Sequence, residues 1–164
     1  MYDVMQGVKV VEVAEHTFAP SAGVMLADWG ADVIKVERTQ GGGDPARSLR
    51  TIQRPGYRRN PYFEVANRGK RGIALDLTSA EGREYLYRLV AQADVFITNL
   101  RRGAREKLGI EATDLMPRNP RLNSTTLNTI STHAETISVQ PISRPASPAA
   151  VPADSDTEPV EGGR

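Results

Sequence analysis

Polar residues that could bind a ligand follow three segments that the sequence predicts to be β-strands. His16, Thr17 and Phe18 come after the first segment, Arg38 directly follows the second, and Asn99 follows a later one. In an open parallel sheet, ligands bind outside the carboxyl ends of the strands, so these residues are expected to share one rim. Their positions therefore predict that these residues lie together where a ligand could bind.

Several other kinds of site are disfavoured. The chain has no cysteine and two histidines, so neither a disulfide nor a metal centre is expected. His16 is expected to cap or pack rather than to act as a base, because no carboxylate partner is evident nearby. The run from Gly41 to Gly43 suggests a phosphate cradle, but neither GxGxxG nor GxxxxGKS/T is present. A nicotinamide or ATP site is therefore disfavoured.

Charge and hydropathy exclude two classes of partner. The net charge is only +1, and the arginines between residues 47 and 59 lack the aromatic module that reads bases, so no nucleic-acid partner is expected. The longest apolar run near the N-terminus, residues 8–14, is interrupted by Lys9 and Glu12 and has no basic segment before it. We therefore predict a cytoplasmic protein without a membrane segment.

Strand and helix patterns alternate along the first part of the chain. The β-branched or apolar pattern of strands occurs at residues 7–14, 31–37, 73–77 and 94–97. Helices are predicted at residues 20–29, from the capping-box pattern at 78–81 to about residue 93, at 101–108 and at 112–118. Residues 38–60 form a polar segment too long for an ordinary connection. This alternation predicts an α/β fold with a Rossmann-like open parallel sheet.

The composition changes after Leu122. Residues 1–122 carry 19 Lys and Arg against 15 Asp and Glu, whereas residues 123–164 carry 2 against 5, and every aromatic residue lies at or before Phe96. A segment dominated by Ser, Thr, Pro and Ala buries too little apolar area to offset the entropy cost of ordering. We therefore predict one α/β region over 1–122 and a disordered tail over 123–164. The fifth strand that the pattern calls for after Pro120 is expected to be missing.

Six short sequence motifs follow one another between residues 30 and 122. They are Gly-Ala-Asp-Val-Ile-Lys-Val-Glu at 30–37, Gly-Gly-Asp-Pro at 42–45, Asn-Arg-Gly-Lys-Arg-Gly-Ile-Ala-Leu-Asp-Leu at 67–77, Ala-Asp-Val-Phe-Ile-Thr-Asn-Leu at 93–100, Leu-Gly at 108–109 and Asn-Pro-Arg-Leu at 119–122. In these motifs the chain resembles the N-terminal part of family III CoA-transferases of the CaiB/BaiF type. That family includes formyl-CoA:oxalate and carnitine CoA-transferases and α-methylacyl-CoA racemases. The resemblance covers roughly three quarters of this chain and about the first third of a full-length member.

The resemblance implies that CoA or acyl-CoA is the substrate and that no cofactor is tightly bound. It implies CoA contacts at His16, Thr17, Phe18, Arg38, Lys70, Asn99, Leu100 and Lys107. Each residue also has a plainer alternative. Arg38 and Lys70 could be solvated charges, Lys107 a cation at a helix end, and Asn99 a group that ends its strand by bonding local backbone. Phe18 and Leu100 could belong to the core.

The family reaction requires a carboxylate nucleophile that attacks an acyl-CoA thioester. The resemblance implies that this aspartate lies beyond the motif at 119–122. Asp154 and Asp156 lie in a Ser- and Pro-rich stretch without preorganised neighbours, so neither is expected to serve. We therefore expect no catalytic residue in this chain and no acyl transfer by it alone. The abrupt change after Leu122 suggests a truncated gene or a shifted reading frame.

The resemblance also bears on assembly. The family's interlocked homodimers would need wrapping segments beyond Leu122, so this chain is not expected to form them. The alternative function is a non-catalytic α/β module that acts by interaction, through its basic loop or its acidic tail.

Overall fold

A computed structural model of the chain describes residues 3–49 and 60–126. Strands and helices alternate along these residues. The strands are β1 (Lys9–Val13), β2 (Asp32–Glu37), β3 (Arg71–Ala74), β4 (Val95–Thr98) and β5 (Asn123–Thr126). The α-helices are α1 (Phe18–Asp28), α2 (Pro61–Asn67), α3 (Ala80–Val90), α4 (Arg102–Leu108) and α5 (Ala112–Leu115), and a 3-10 helix covers Pro45–Ser48.

The five strands form one sheet in which every pair is parallel. Their order across the sheet is β3-β2-β1-β4-β5, so β1 lies at the centre. Val11 of β1 is opposite Ile34 of β2 on one side and Phe96 of β4 on the other. The predicted α/β fold with an open parallel sheet is confirmed.

Helices cover both faces of the sheet. One buried cluster joins Val11 and Phe96 of the strands to Leu86 and Val90 of α3. A second cluster, on the opposite face, contains Val10 and Ile97 of the strands and residues of α1. The central strands are therefore buried on both faces, as is usual in parallel sheets. Among the described residues, no helix is long and apolar enough to cross a membrane.

Several local features differ from the sequence-based expectations. Helix α2 was not predicted, although Asn60 caps it by accepting a hydrogen bond from the Tyr62 amide at 3.0 Å and Pro61 opens it. Strand β3 ends at Ala74 rather than at residue 77, because its partner β2 ends at Glu37. The cap of α3 is Ser79 rather than the first residue of the predicted box.

The expected absence of a fifth strand is wrong. Asn123–Thr126 forms β5, which pairs in parallel with β4 along its whole length. Backbone pairing with an existing strand edge orders these four polar residues, although they supply little apolar burial. The predicted tail therefore begins after Thr126 at the earliest, and the rest of it lies outside the described residues. Most of the arginine-rich segment at 47–59 also lies outside them.

Candidate ligand-binding site at the carboxyl ends of the strands

A cavity of about 310 Å³ opens where β1, β2 and β3 end. Its apolar wall consists of Val13, Ala14, Val36, Leu75, Leu77, Leu100, Ala104 and Leu108. Its polar wall includes Glu15, Glu37, Arg38, Asp44, Asp76 and Thr78. The cavity lies at the place that the sequence predicted for a binding rim, since the carboxyl ends of parallel strands meet at one edge.

Arg38 and Leu100 are the two predicted site residues that line this cavity. Arg38 follows β2, and half of its side chain is exposed. Its Nε donates a hydrogen bond to the Gly43 carbonyl at 2.9 Å and lies 3.7 Å from Glu15 Oε1. These contacts hold the guanidinium at the mouth of the cavity, where an anionic ligand can reach it.

The loop after β1 borders the cavity through Ala14 and Glu15, whereas His16, Thr17 and Phe18 do not line it. His16 has a backbone φ of 66°, and its side chain is exposed. Thr17 precedes α1 and its hydroxyl lies 3.1 Å from the Tyr62 hydroxyl. Phe18 opens α1 and is more exposed than buried. The three residues therefore lie beside the cavity, with their side chains outside its wall.

Asn99 fastens the ends of two neighbouring strands together. Its Oδ1 accepts a hydrogen bond from the Glu15 amide at 3.0 Å, and its Nδ2 donates to the Glu15 carbonyl at 2.8 Å. The alternative interpretation was that Asn99 bonds the local backbone at the end of its own strand. Asn99 does bond backbone, but that of Glu15 at the end of β1.

Lys70 is buried beneath α1 instead of facing the cavity. Its Nζ donates to Glu12 Oε2 at 2.7 Å, to the Pro20 carbonyl at 2.8 Å and to Asn67 Oδ1 at 3.2 Å. These three bonds use all three ammonium protons. Burial lowers the pKa of the Lys70 ammonium below its ordinary value, and Glu12 offsets part of this effect. In this geometry Lys70 has no proton left for a ligand phosphate.

Lys107 lies exposed in the last turn of α4. Leu108, the next residue, lines the cavity, whereas Lys107 itself does not. Its position at the carboxyl end of a helix is the one that the plainer alternative expected.

Sequence reasoning missed a buried cluster of four charged residues, Glu12, Lys35, Asp44 and Lys70. Lys35 Nζ lies 3.2 Å from Glu12 Oε1 and 2.9 Å from Asp44 Oδ2. Glu12 and Lys35 are direct neighbours in the parallel register of β1 and β2. The signal was present, because a charge within a strand covered on both faces needs a buried partner.

The segment 75–78 was also missed as part of the site. Leu75, Asp76, Leu77 and Thr78 all line the cavity because β3 ends at Ala74. The rule that placed Arg38 at the rim would have placed this segment there too, had the end of the third strand been predicted three residues earlier.

The polar wall is mainly acidic. Burial alone raises the pKa of the Glu37 carboxyl, but hydrogen bonds from the Arg47 side chain and the Asp44 amide outweigh it and bring that pKa below its ordinary value. Arg47 holds Glu37 through two bonds of 2.7 Å. Arg38 is the one cation among the described lining residues, and it lies at the mouth. The interior of the cavity therefore suits an uncharged ring of a ligand, and the mouth suits the ligand's anionic groups. No group of three possible metal ligands exists in the described part of the chain.

Solved structures share this fold. The crystal structure of Rv3272 from Mycobacterium tuberculosis matches with a TM-score of 0.70 and 38% identity, covering 77% of this chain and 35% of that one. A CAIB/BAIF family protein from Brucella suis matches with a TM-score of 0.68 and 42% identity, covering 76% and 33%.

Curated proteins with similar sequences are CoA-transferases. An (R)-2-hydroxy-4-methylpentanoate CoA-transferase of Clostridioides difficile is 40% identical over 118 residues, which are 72% of this chain and 30% of the relative. A succinate–glutarate CoA-transferase of Agrobacterium fabrum is 40% identical over 121 residues, again 72% and 30%. The chain thus spans about 30% of the length of these relatives. The sequence pattern of CoA-transferase family III matches residues 5–133, past the change of composition at Leu122. The chain therefore belongs to CoA-transferase family III.

Proposed function

We propose that this chain binds CoA or acyl-CoA, as the nucleotide-binding part of an enzyme that moves CoA between an acyl-CoA and a carboxylic acid. The observation that carries the proposal is the cavity at the strand ends with Arg38 at its mouth, in a member of this family. The relatives named above are CoA-transferases, which supports CoA as the shared substrate.

The two kinds of wall suggest how the nucleotide is held. The apolar wall, which includes Leu75 and Leu100, suits the face of an adenine ring, and the carboxylates of Glu15 and Asp76 can accept hydrogen bonds from its amino group. The phosphates then extend past Arg38 toward solvent. His16, Thr17, Phe18 and Lys107 surround this outer region in the proposal, whereas Asn99 and Lys70 act by holding the rim and α1 in place.

We further propose that the 164-residue chain does not transfer acyl groups by itself. A carboxylate held by a cation or a hydrogen-bond donor is a weaker nucleophile, and each carboxylate of the cavity wall has such a partner. Glu37 bonds Arg47 at 2.7 Å, Asp44 lies 2.9 Å from Lys35, and Asp76 accepts from Thr78 at 2.6 Å. Glu15 faces Arg38 at 3.7 Å.

Thermal unfolding in the presence of CoA tests the binding proposal. A ligand that binds only the folded state raises the melting temperature, by an amount that grows with the ligand concentration. We expect saturating CoA to raise it, and adenine alone at the same concentration to raise it less. A melting temperature that stays constant up to millimolar CoA would favour the non-catalytic interaction module instead.

A further inference from the structure

The loop between β1 and α1 contains a strained residue. His16 has a φ of 66°, in the left-handed region that residues with a Cβ atom rarely adopt. Its exposed imidazole makes no hydrogen bond to any described residue, so the side chain does not hold this conformation. Strained backbone of this kind persists only where its surroundings fix it.

The buried carboxylate of Asp44 holds His16 in this conformation. Asp44 Oδ1 accepts hydrogen bonds from the amide of His16 at 3.0 Å and from the amide of Ala46 at 2.9 Å. The Asp44 side chain is fully buried, and its Oδ2 lies 2.9 Å from the Lys35 ammonium, in an ionic contact without hydrogen-bond geometry. Asp44 belongs to the polar wall of the cavity, but its carboxylate is fully buried, so it acts through the backbone and not by touching a ligand.

Two further side chains hold the neighbouring residues of the same loop. Lys35 Nζ donates to the Ala14 carbonyl at 2.7 Å, and Asn99 bonds both backbone groups of Glu15. Three consecutive residues are thus held by three side chains from other parts of the chain. Two of them, Ala14 and Glu15, line the cavity.

We propose that Asp44 is a positioning residue for nucleotide binding, which holds the loop after β1 in its left-handed conformation at the rim through the His16 amide. This inference rests on the proposed function, because the rim matters only if the cavity binds CoA. The contact between Asp44 and His16 can nevertheless be tested without a ligand.

Two substitutions separate positioning from stability. Asp44→Ala removes the acceptor, so we expect CoA to bind about 3- to 10-fold more weakly, the effect of losing one hydrogen bond. Asp44→Asn keeps an acceptor for the two amides but loses the charge opposite Lys35. It should therefore melt at a lower temperature while binding CoA more tightly than Asp44→Ala. Calorimetric titration of the full chain with CoA measures both.

Asn119→Ala is the matched control. Asn119 donates to the carbonyls of Val90 and Ala93 at 2.9 and 2.7 Å, and none of the three residues lines the cavity. Its loss should lower the melting temperature and leave CoA affinity unchanged. Equal affinities for wild type and Asp44→Ala would overturn the proposal, and so would an equal loss of affinity in Asn119→Ala.

Amide hydrogen exchange tests the contact itself. The His16 amide should be protected in the wild type and in Asp44→Asn, and should exchange at least about 10-fold faster in Asp44→Ala, relative to the Val11 amide of β1. An unprotected His16 amide in the wild type would overturn the proposal even if CoA binds. Protection lost as expected, in a chain that does not bind CoA, would instead contradict the proposed function.

Discussion

Arg38 and Lys70 have the same charge but different surroundings. Arg38 is half exposed at the cavity mouth, whereas the Lys70 side chain is 2% exposed and bonded to Glu12, Pro20 and Asn67. A phosphate can therefore approach Arg38 without displacing a buried partner. At the scale of single residues, this difference separates a candidate ligand contact from a group that stabilises the fold.

Alanine substitutions at Arg38 and Lys70 should therefore have different effects, the first on CoA affinity and the second on stability. Arg38→Ala should weaken CoA binding by about 1.5–3 kcal/mol, the range for hydrogen bonds to charged groups, with a small change in melting temperature. Lys70→Ala leaves Glu12 with one buried cation fewer and should lower the free energy of unfolding by about 3 kcal/mol or more. Titration calorimetry and denaturant unfolding measure the two effects. A large affinity loss in Lys70→Ala at unchanged stability would restore it as a phosphate ligand.

The pH dependence of stability should report the ion pair between Glu37 and Arg47. The pKa of Glu37 is lower in the folded protein than the ordinary value of about 4.3. Its contribution to stability is therefore complete above that value and is lost as the pH falls through the folded pKa. Glu37→Gln should melt below the wild type at pH 7, and the gap should shrink below about pH 4. A gap that stays constant from pH 7 to pH 3 would contradict this assignment.

At the scale of elements, helix α1 packs directly against the side chain of Glu12 on β1. A Cβ atom on Gly23 would clash with Glu12 Oε2 and would lie 3.0 Å from Lys70 Nζ. The buried carboxylate of Glu12 therefore occupies the space that a larger residue on α1 would need. Glycine at this position lets the helix cover the charged cluster.

Gly23→Ala should accordingly destabilise the protein by about 1–3 kcal/mol, the usual cost of overpacking. Gly103→Ala in α4 is the matched control, because a Cβ there meets no atom within 4 Å. It should instead stabilise the protein by up to about 1 kcal/mol, since alanine favours helix. Urea unfolding of both variants measures the difference. Equal effects of the two substitutions would show that the close approach of α1 is not rigid.

Strand β5 gives a prediction about limited proteolysis. The pairing of Asn123–Thr126 with β4 should protect these residues, so the resistant core should end at or after Thr126. Mass spectrometry of the resistant fragment locates that end. A core that ends at Leu122 would contradict the pairing, and protection beyond Ser143 would contradict the disorder predicted for the tail.

At the scale of the whole molecule, the sheet ends in a cavity whose described carboxylates each lie beside a cation or a hydrogen-bond donor. We expect the purified chain, incubated with an acyl-CoA and an acceptor acid, to show no transfer above background. Hydroxylamine converts an activated carboxylate to a hydroxamate, which mass spectrometry detects at the modified residue. Hydroxamate on any aspartate or glutamate of the chain would show a working nucleophile and refute the proposal.

The sequence by itself determined the layers of this protein and the edge of the sheet where the candidate site lies. Alternating strand and helix patterns predict a parallel sheet, because parallel strands require crossover connections. The sheet in turn places Arg38 at the rim. The motifs also carried the family, since they depend on local order and spacing. The layers, the candidate site and the family could be predicted because each depends on residues that are near one another in the chain.

The tertiary structure alone decided which charges are buried and where the strands end. Lys70 meets Glu12 across 58 residues, and Asn99 meets Glu15 across 84. Strand β3 stops where β2 stops, which brings Leu75 into the cavity wall. Such contacts depend on how the elements pack. A lysine in a polar motif therefore looks the same in sequence whether it faces solvent or a buried carboxylate.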